Sequence, residues 1–323
     1  MLHYFTIILI CTIFFSFLIT KILIPQLIRV GITGQDLSKQ NKPEIAEMGG
    51  IGIIAGFSIG VIIAIFFNTF LGFNFDLNFI LAALIAIFIL TFIGFIDDLL
   101  DIPQMIKAFL PLFAAVPLIA VKAAGSTSMH IPFFGIVDFG IFYFFVLIPA
   151  GIAVSANLTN MLAGFNGLEA GMGIILALAS TIVAFHVKST EALILYISLF
   201  GALFGFIIHN KYPSKIFPGD VGTLIIGATI AAGAIIGNFE SIAALFMSLY
   251  IVDFFIKLRN GFPKTPGVIK NEKLYAPENK IRGLVQLPMV LLKGIKEQDL
   301  VLLFISAQIT VSIIVLVVFN MGM

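Results

Sequence analysis

A chain of 323 residues that is 60% hydrophobic and only 11% charged, with a mean hydropathy of +1.14, is not a soluble domain; those carry about 25% charged residues. The formal net charge of +1 says little in a membrane protein, where the distribution of charge matters more, and no nucleic-acid partner is expected. Cys11 is the single cysteine and lies in an apolar run, which rules out a disulfide or a cysteine metal site within the chain.

A membrane-crossing helix needs about 20 apolar residues. Ten stretches meet that condition, at roughly 2–29, 50–70, 78–96, 104–124, 140–158, 168–187, 190–209, 220–237, 240–258 and 299–320. The first is too long for a signal-peptide core and lacks a small-residue cleavage site. The expectation is one all-α, polytopic integral-membrane domain over residues 1–323, with about ten transmembrane helices in the lipid bilayer. Of the 18 lysines and arginines, 15 fall in the odd-numbered connections; Lys122 and Lys188 fall in even ones, and Lys21 lies inside the first span. The positive-inside rule then puts both termini outside and the loops near 30–49, 97–107, 157–168, 209–220 and 259–298 in the cytoplasm. Outside, Ser126 to Phe139 alternates around Pro132 and Gly135 and predicts a small β-hairpin. No internal repeat is visible.

The polar groups collect on the inner connections. The first holds Gln35-Asp36, Lys39 and then Glu47, next to the membrane. Asp36 and Lys39 read equally well as part of a solvated loop. The second holds Asp97-Asp98-x-x-Asp101 and Lys107. Adjacent carboxylates repel unless a cation or a basic group compensates them, so three acids at one junction point to a metal, a phosphate or both. The third, 157–171, carries Asn157, Asn160, Asn166 and Glu169 among Gly164, Gly167 and Gly171, more hydrogen-bonding groups than a plain turn needs. Amide-mediated helix packing is the plainer reading there. The fourth ends in Phe217-Pro218-Gly219-Asp220, an acid at a helix start, where it caps the helix or holds a divalent cation. His209 reads as a satisfied interfacial histidine. The fifth is basic, and Arg259 and Lys264 are its best phosphate contacts. Carboxylates and amides from three loops and bases from two suit a divalent cation with a phosphorylated substrate.

These motifs, Asp97-Asp98 with Lys107, Asn157-x-x-Asn160 running into Ala163-Gly164-Phe165-Asn166-Gly167-Leu168-Glu169, and Phe217-x-Gly219-Asp220, resemble the polyprenyl-phosphate N-acetylhexosamine-1-phosphate transferases from about Gln35 to Lys264. The wording at 163–171 looks like the dolichyl-phosphate branch of eukaryotes and archaea. Where that branch has Arg-His-Arg, this chain has Arg259-Asn260-Gly261, so only Arg259 matches.

The resemblance implies a Mg²⁺- (or Mn²⁺-) dependent transfer of N-acetylglucosamine 1-phosphate from UDP-GlcNAc to a polyprenyl (dolichyl) phosphate. This is the first membrane step of assembling a glycan, at the cytoplasmic face of the cell membrane or, in a eukaryote, of the endoplasmic reticulum. It implies that Asp220 and Asn160 bind the metal, that Lys107 and Arg259 neutralise phosphate oxygens, and that Asp97 and Asp98 organise Lys107. Phe217 would stack on uracil, with Asn166 at its edge and Asn157 near phosphate or ribose. Gln35, Asp36, Glu47, Asp101, Gly164, Glu169 and Lys264 complete the expected substrate site, and a homodimer is a further expectation. Two other readings compete: an intramembrane prenyltransferase using Asp97-Asp98-x-x-Asp101, and a lipid-linked sugar transporter, which needs charges deep in spans and broken helices.

Overall fold

The computed structural model describes residues 2–100, 102–123, 125–131, 134–263 and 267–320, so the expected site residues Asp101 and Lys264 lie outside the described residues. Among the described residues, nine helices are long and apolar enough to cross a membrane, and a bent pair makes up to ten. They are α1 (Leu2–Arg29), α2 (Gly50–Leu71), α3 (Leu77–Leu100), a fourth span made of α4 (Gln104–Phe109), a 3₁₀ turn (Leu110–Ala115) and α5 (Val116–Lys122), then α6 (Ile148–Met161), α7 (Leu168–His186), α8 (Thr190–Asn210) and α9 (Gly219–Gly237). The bent pair is α10 (Glu240–Phe246) with α11 (Ser248–Arg259), and after the short α12 (Gln286–Leu291) the chain closes on α13 (Glu297–Asn320).

Three of these spans are not the uninterrupted helices expected from hydropathy. The fourth loosens into a 3₁₀ turn at Pro111 and restarts at Pro117, because proline has no N–H to donate into the ladder. The stretch Tyr143–Leu147 opens into a π turn just before Pro149, for the same reason. The bent pair turns by 66° at Met247. No proline stands there; instead Gln308 of α13 donates Nε2–H to the Phe246 carbonyl at 2.9 Å, satisfying an acceptor that the break frees.

Short hairpins fill the connections. β3 (Ser128–Ile131) and β4 (Gly135–Asp138) form the expected one. Two more were not visible in the sequence: β1 (Thr33–Gln35) with β2 (Glu44–Ala46), and β5 (Val268–Lys270) with β6 (Lys273–Tyr275). Lys122, expected in an outer loop, is buried instead and donates to the Ile235 carbonyl and to Asn238 Oδ1 at 2.7 and 2.6 Å. Asp253 is likewise a buried charge inside an apolar segment, fully buried in α11.

α9 is the helix on which the others pack, buried on almost every side against α2, α3, α6 and α8. Its sequence explains this: glycines and alanines let neighbouring backbones approach closely. Ser155 of α6 crosses at Gly227, Tyr196 of α8 at Gly233, and the backbone of Gly222 meets Gly50 at the start of α2. A methyl group on Gly50 would lie 2.2 Å from the Gly222 nitrogen, with backbone on both sides and no side chain to move away. Gly50→Ala is therefore expected to lose about 1–3 kcal/mol of stability, seen as a lower Tm in detergent. Gly151→Ala, whose added carbon meets nothing within 4 Å, should leave Tm unchanged, and equal Tm values for the two variants would contradict this packing.

Candidate active site

The two adjacent aspartates that close α3 face different partners. Asp98 accepts from the backbone N–H groups of Asp220 and Val221 at 2.8 and 3.3 Å. It thus satisfies donors that the start of α9 leaves free. Gly219, at φ +65°, brings the backbone so close that a side-chain carbon there would strike the Asp98 carboxylate. Asp97 accepts from the Ile102 N–H at 2.8 Å through one oxygen and pairs with Lys107 through the other. Lys107, carried back from α4 after Pro103, also pairs with Asp220, so one ammonium bridges two carboxylates. The second Asp220 oxygen accepts from Asn160 Nδ2 at 2.6 Å, and that amide also reaches Thr223 Oγ1 at 2.9 Å. Glu47 stands close by; burial, and then the Asp220 charge, push its carboxyl above the ordinary glutamate range.

A second polar cluster ties the loops together. Asn166 donates Nδ2–H to Glu297 Oε1 and Asp36 Oδ2 at 2.7 and 3.1 Å, and its backbone N–H also donates to Glu297 at 2.8 Å. Its Oδ1 accepts from the Ser214 N–H at 2.6 Å and from Lys39 Nζ at 3.1 Å. Asp36 is buried and paired with Lys39. Asn166 is thus the joint between the β1–β2 loop, the segment before α9 and the start of α13. A polar cavity of about 330 Å³, lined by Lys39, Tyr212, Lys296 and Glu297 among others, opens beside it. Glu169, also buried, accepts from the Gly164 N–H at 2.6 Å and so closes the 162–167 loop on itself.

The expected residues therefore divide. Asp97, Asp98, Lys107, Asn160 and Asp220 converge, with Glu47 beside them. Asp36, Asn166, Glu169 and Gly164 belong to the loop framework; Glu169 uses one carboxylate oxygen there and its other is buried without a partner. Asn157 donates to the Ala153 carbonyl of its own helix at 2.8 Å. Phe217 is half-buried, its backbone paired with Ala46 and Gly49. Gln35 is exposed, and Arg259 is exposed with no ion pair or hydrogen bond among the described residues. His209 is satisfied, as expected: it is buried, stacked on Phe17 at 4.8 Å. Thr223, Ser214 and Glu297 escaped sequence reasoning, because each looks like an ordinary helix-end or loop residue. The Asp97-Asp98-x-x-Asp101 pattern does not present Asp97 and Asp98 as one acidic face for a prenyl diphosphate, since Asp98 is spent on α9 and Asp97 on Lys107.

Among the described residues no three His, Cys, Asp or Glu side chains form a metal cage. Mg²⁺ does not need one; it is commonly held by one or two carboxylates together with substrate phosphates. Asp220 with the adjacent Asn160 fits that pattern, since rotating the Asn160 amide puts its oxygen where its nitrogen now meets Asp220. A groove of about 300 Å³ with almost wholly apolar walls runs between α6, α9 and the α10–α11 bend, lined by Val154, Leu158, Ile235, Met247 and Ile251 among others.

The sequence profile of glycosyl transferase family 4 matches residues 80–238, the stretch that carries Asp97, Asp98, Lys107, Asn160 and Asp220. Similar proteins extend the match. A relative from Saccharolobus solfataricus is 39% identical over 77% of this chain and 76% of its own length. One from Sulfolobus acidocaldarius is 36% identical over 89% and 88%. Both are provisionally named UDP-N-acetylglucosamine–dolichyl-phosphate N-acetylglucosaminephosphotransferases. The chain belongs to glycosyl transferase family 4. A Dictyostelium discoideum protein that carries the same name without qualification is 31% identical over 78% of this chain and 73% of its own length. This family 4 chain keeps its charged centre at the start of its most buried helix and its loop framework around one asparagine. Asn166→Ala would leave Asp36 and Glu297 short of donors at buried positions, and a buried group left unsatisfied costs about 1–3 kcal/mol, more when charged. The variant is expected to unfold at clearly lower temperature in detergent; an unchanged Tm would contradict the framework role.

Proposed function

We propose that the chain transfers N-acetylglucosamine 1-phosphate from UDP-GlcNAc to a polyprenyl phosphate of the dolichyl type, releasing UMP and forming a lipid-linked pyrophosphoryl sugar. The observation that carries this reading is the Lys107 ammonium bridging Asp97 and Asp220 beside Asn160, at the start of α9 and within the segment matched to the family. The relatives' names supply the substrates. The lysine distribution supports placing this centre at the cytoplasmic face, with both termini outside.

The chemistry asks for alignment and charge neutralisation more than for a base. A phosphate monoester has a second pKa of about 6, so the lipid phosphate is already largely dianionic at neutral pH. One of its oxygens attacks the β-phosphorus of UDP-GlcNAc, the bond from that phosphorus to the bridging oxygen breaks, and UMP leaves with the electron pair. Lys107 neutralises phosphate oxygens; Asp97 holds it in place, and Asp98 fixes the backbone that carries Asp220. Asp220 and Asn160 would hold Mg²⁺, which when bound would draw charge from the phosphoryl oxygens. Phe217 offers a half-buried ring to uracil, and Arg259 is free to turn to a phosphate. The apolar groove takes the prenyl chain, since its walls provide nothing for a polar ligand to bond along most of their length.

Purified protein supplied with UDP-GlcNAc, dolichyl phosphate and Mg²⁺ is expected to release UMP, and chelation of the metal to stop it. Lys107→Ala and Asp220→Ala should each lower kcat by about 10³-fold or more, in keeping with loss of a charge-stabilising group, while still eluting as folded protein. Full activity in either variant would contradict the site, and no UMP release with any prenyl phosphate would contradict the reaction.

A further inference from the structure

The last carbonyls of a helix have no partner within it, and at the end of α6 one such carbonyl belongs to Met161, the residue after Asn160. Lys257 of α11 donates Nζ–H to it. The same ammonium pairs with Asp253 at 2.7 Å, one turn back on α11, and Asp253 is fully buried. The other Asp253 oxygen accepts from the Leu284 N–H at 2.7 Å, in the segment leading into α12. One buried ion pair therefore joins the far half of the bent span, the end of α6 and the long loop before α13. A cation at a helix C-terminus is also favoured by the helix dipole. The contact falls at a sensitive place: Asn160 reaches Asp220 from that last turn of α6. The two elements it joins are also two walls of the apolar groove, with Val154 and Leu158 from α6 facing Ala244, Met247 and Ile251 of the bent span.

We propose that Lys257, oriented by Asp253, is a positioning residue that sets the Asn160 amide against Asp220 and makes its position depend on the groove-lining bent span. This rests on the transferase reading of the same site. Neither residue touches the charged centre, so the pair acts through Asn160. A chain filling the groove presses on Met247 and Ile251, and α11 transmits that displacement through Lys257 to the end of α6. Lipid occupancy and nucleotide-side geometry are thereby linked without a long-range rearrangement.

Removing one partner alone leaves a buried charge unpaired and invites misfolding, so the test removes both. Full-length D253N/K257M protein in detergent is compared with wild type, N160A and the triple variant, with Tm as the folding control. UMP release is expected to fall about 10- to 100-fold in D253N/K257M, the usual size for a residue acting behind a ligand. Combined with N160A it should add little further loss, because both changes remove the same interaction. Lys257→Arg, which keeps a cation and a donor, should recover most of the activity. Hydrogen exchange without substrates gives a separate readout: amides at 158–164 should lose protection in D253N/K257M while those at 221–227 keep theirs. A full additional loss of activity on top of N160A, or unchanged exchange at 158–164, overturns the proposal. A wild type that releases no UMP would instead sink the transferase reading, and the exchange result would still decide the tie.

Discussion

One ammonium between two carboxylates governs much of this molecule. Lys107 sits where α3 ends, α4 begins and α9 starts, and it is the cation that lets Asp97 and Asp220 face each other in a half-buried place. Like charges so close are unfavourable without such a partner. The neighbouring Asp98 stays out of that contest because the free N–H groups of α9 hold it. The glycine-rich course of α9 and the close backbone crossing at Gly50 then read as the means of bringing the start of one helix to the ends of others. The proline break in the fourth span belongs to the same arrangement, since Lys107 stands on the short helix that precedes it.

Around this centre the buried polar groups serve two purposes. One set meets at Asp220, where a lysine, two carboxylates and an amide bond one another at the start of α9. The other set, gathered on Asn166, joins residues as far apart as Asp36 and Glu297. Loops near a membrane surface have little apolar area to bury, so hydrogen-bonded joints of this kind substitute for a core. The bent span supplies a third element, one wall of an apolar groove whose other walls are α6 and α9.

Most of the helical frame was legible in the sequence, because long apolar runs have few alternatives to a membrane span. The acidic centre was legible too: Asp97, Asp98, Lys107, Asn160 and Asp220 are costly residues at span ends, and their types announce charge chemistry. Other features lacked a local signature. Nothing in two adjacent aspartates tells which will face a lysine and which a helix start. Asn166 looked like a ligand-facing amide, yet its partners lie on segments more than a hundred residues away in either direction or nearly fifty further on. The bend at Met247 depends on Gln308, a side chain from another helix. Lys257 was submerged among the nine basic residues from Lys257 to Lys296, which read together as one positively charged stretch. Arg259 is the reverse case, singled out by position but standing free of the centre.

The central claim is that Asp220 and Asn160 form a cation site completed by a nucleotide diphosphate. It is tested most directly by titrating Mn²⁺ into the protein in the presence of UDP and following the free ion by electron paramagnetic resonance. The account predicts one tight ion per wild-type chain and an affinity weaker by about 10-fold or more in Asp220→Asn. Equal binding by wild type and variant, or no binding to wild type with UDP present, would contradict it.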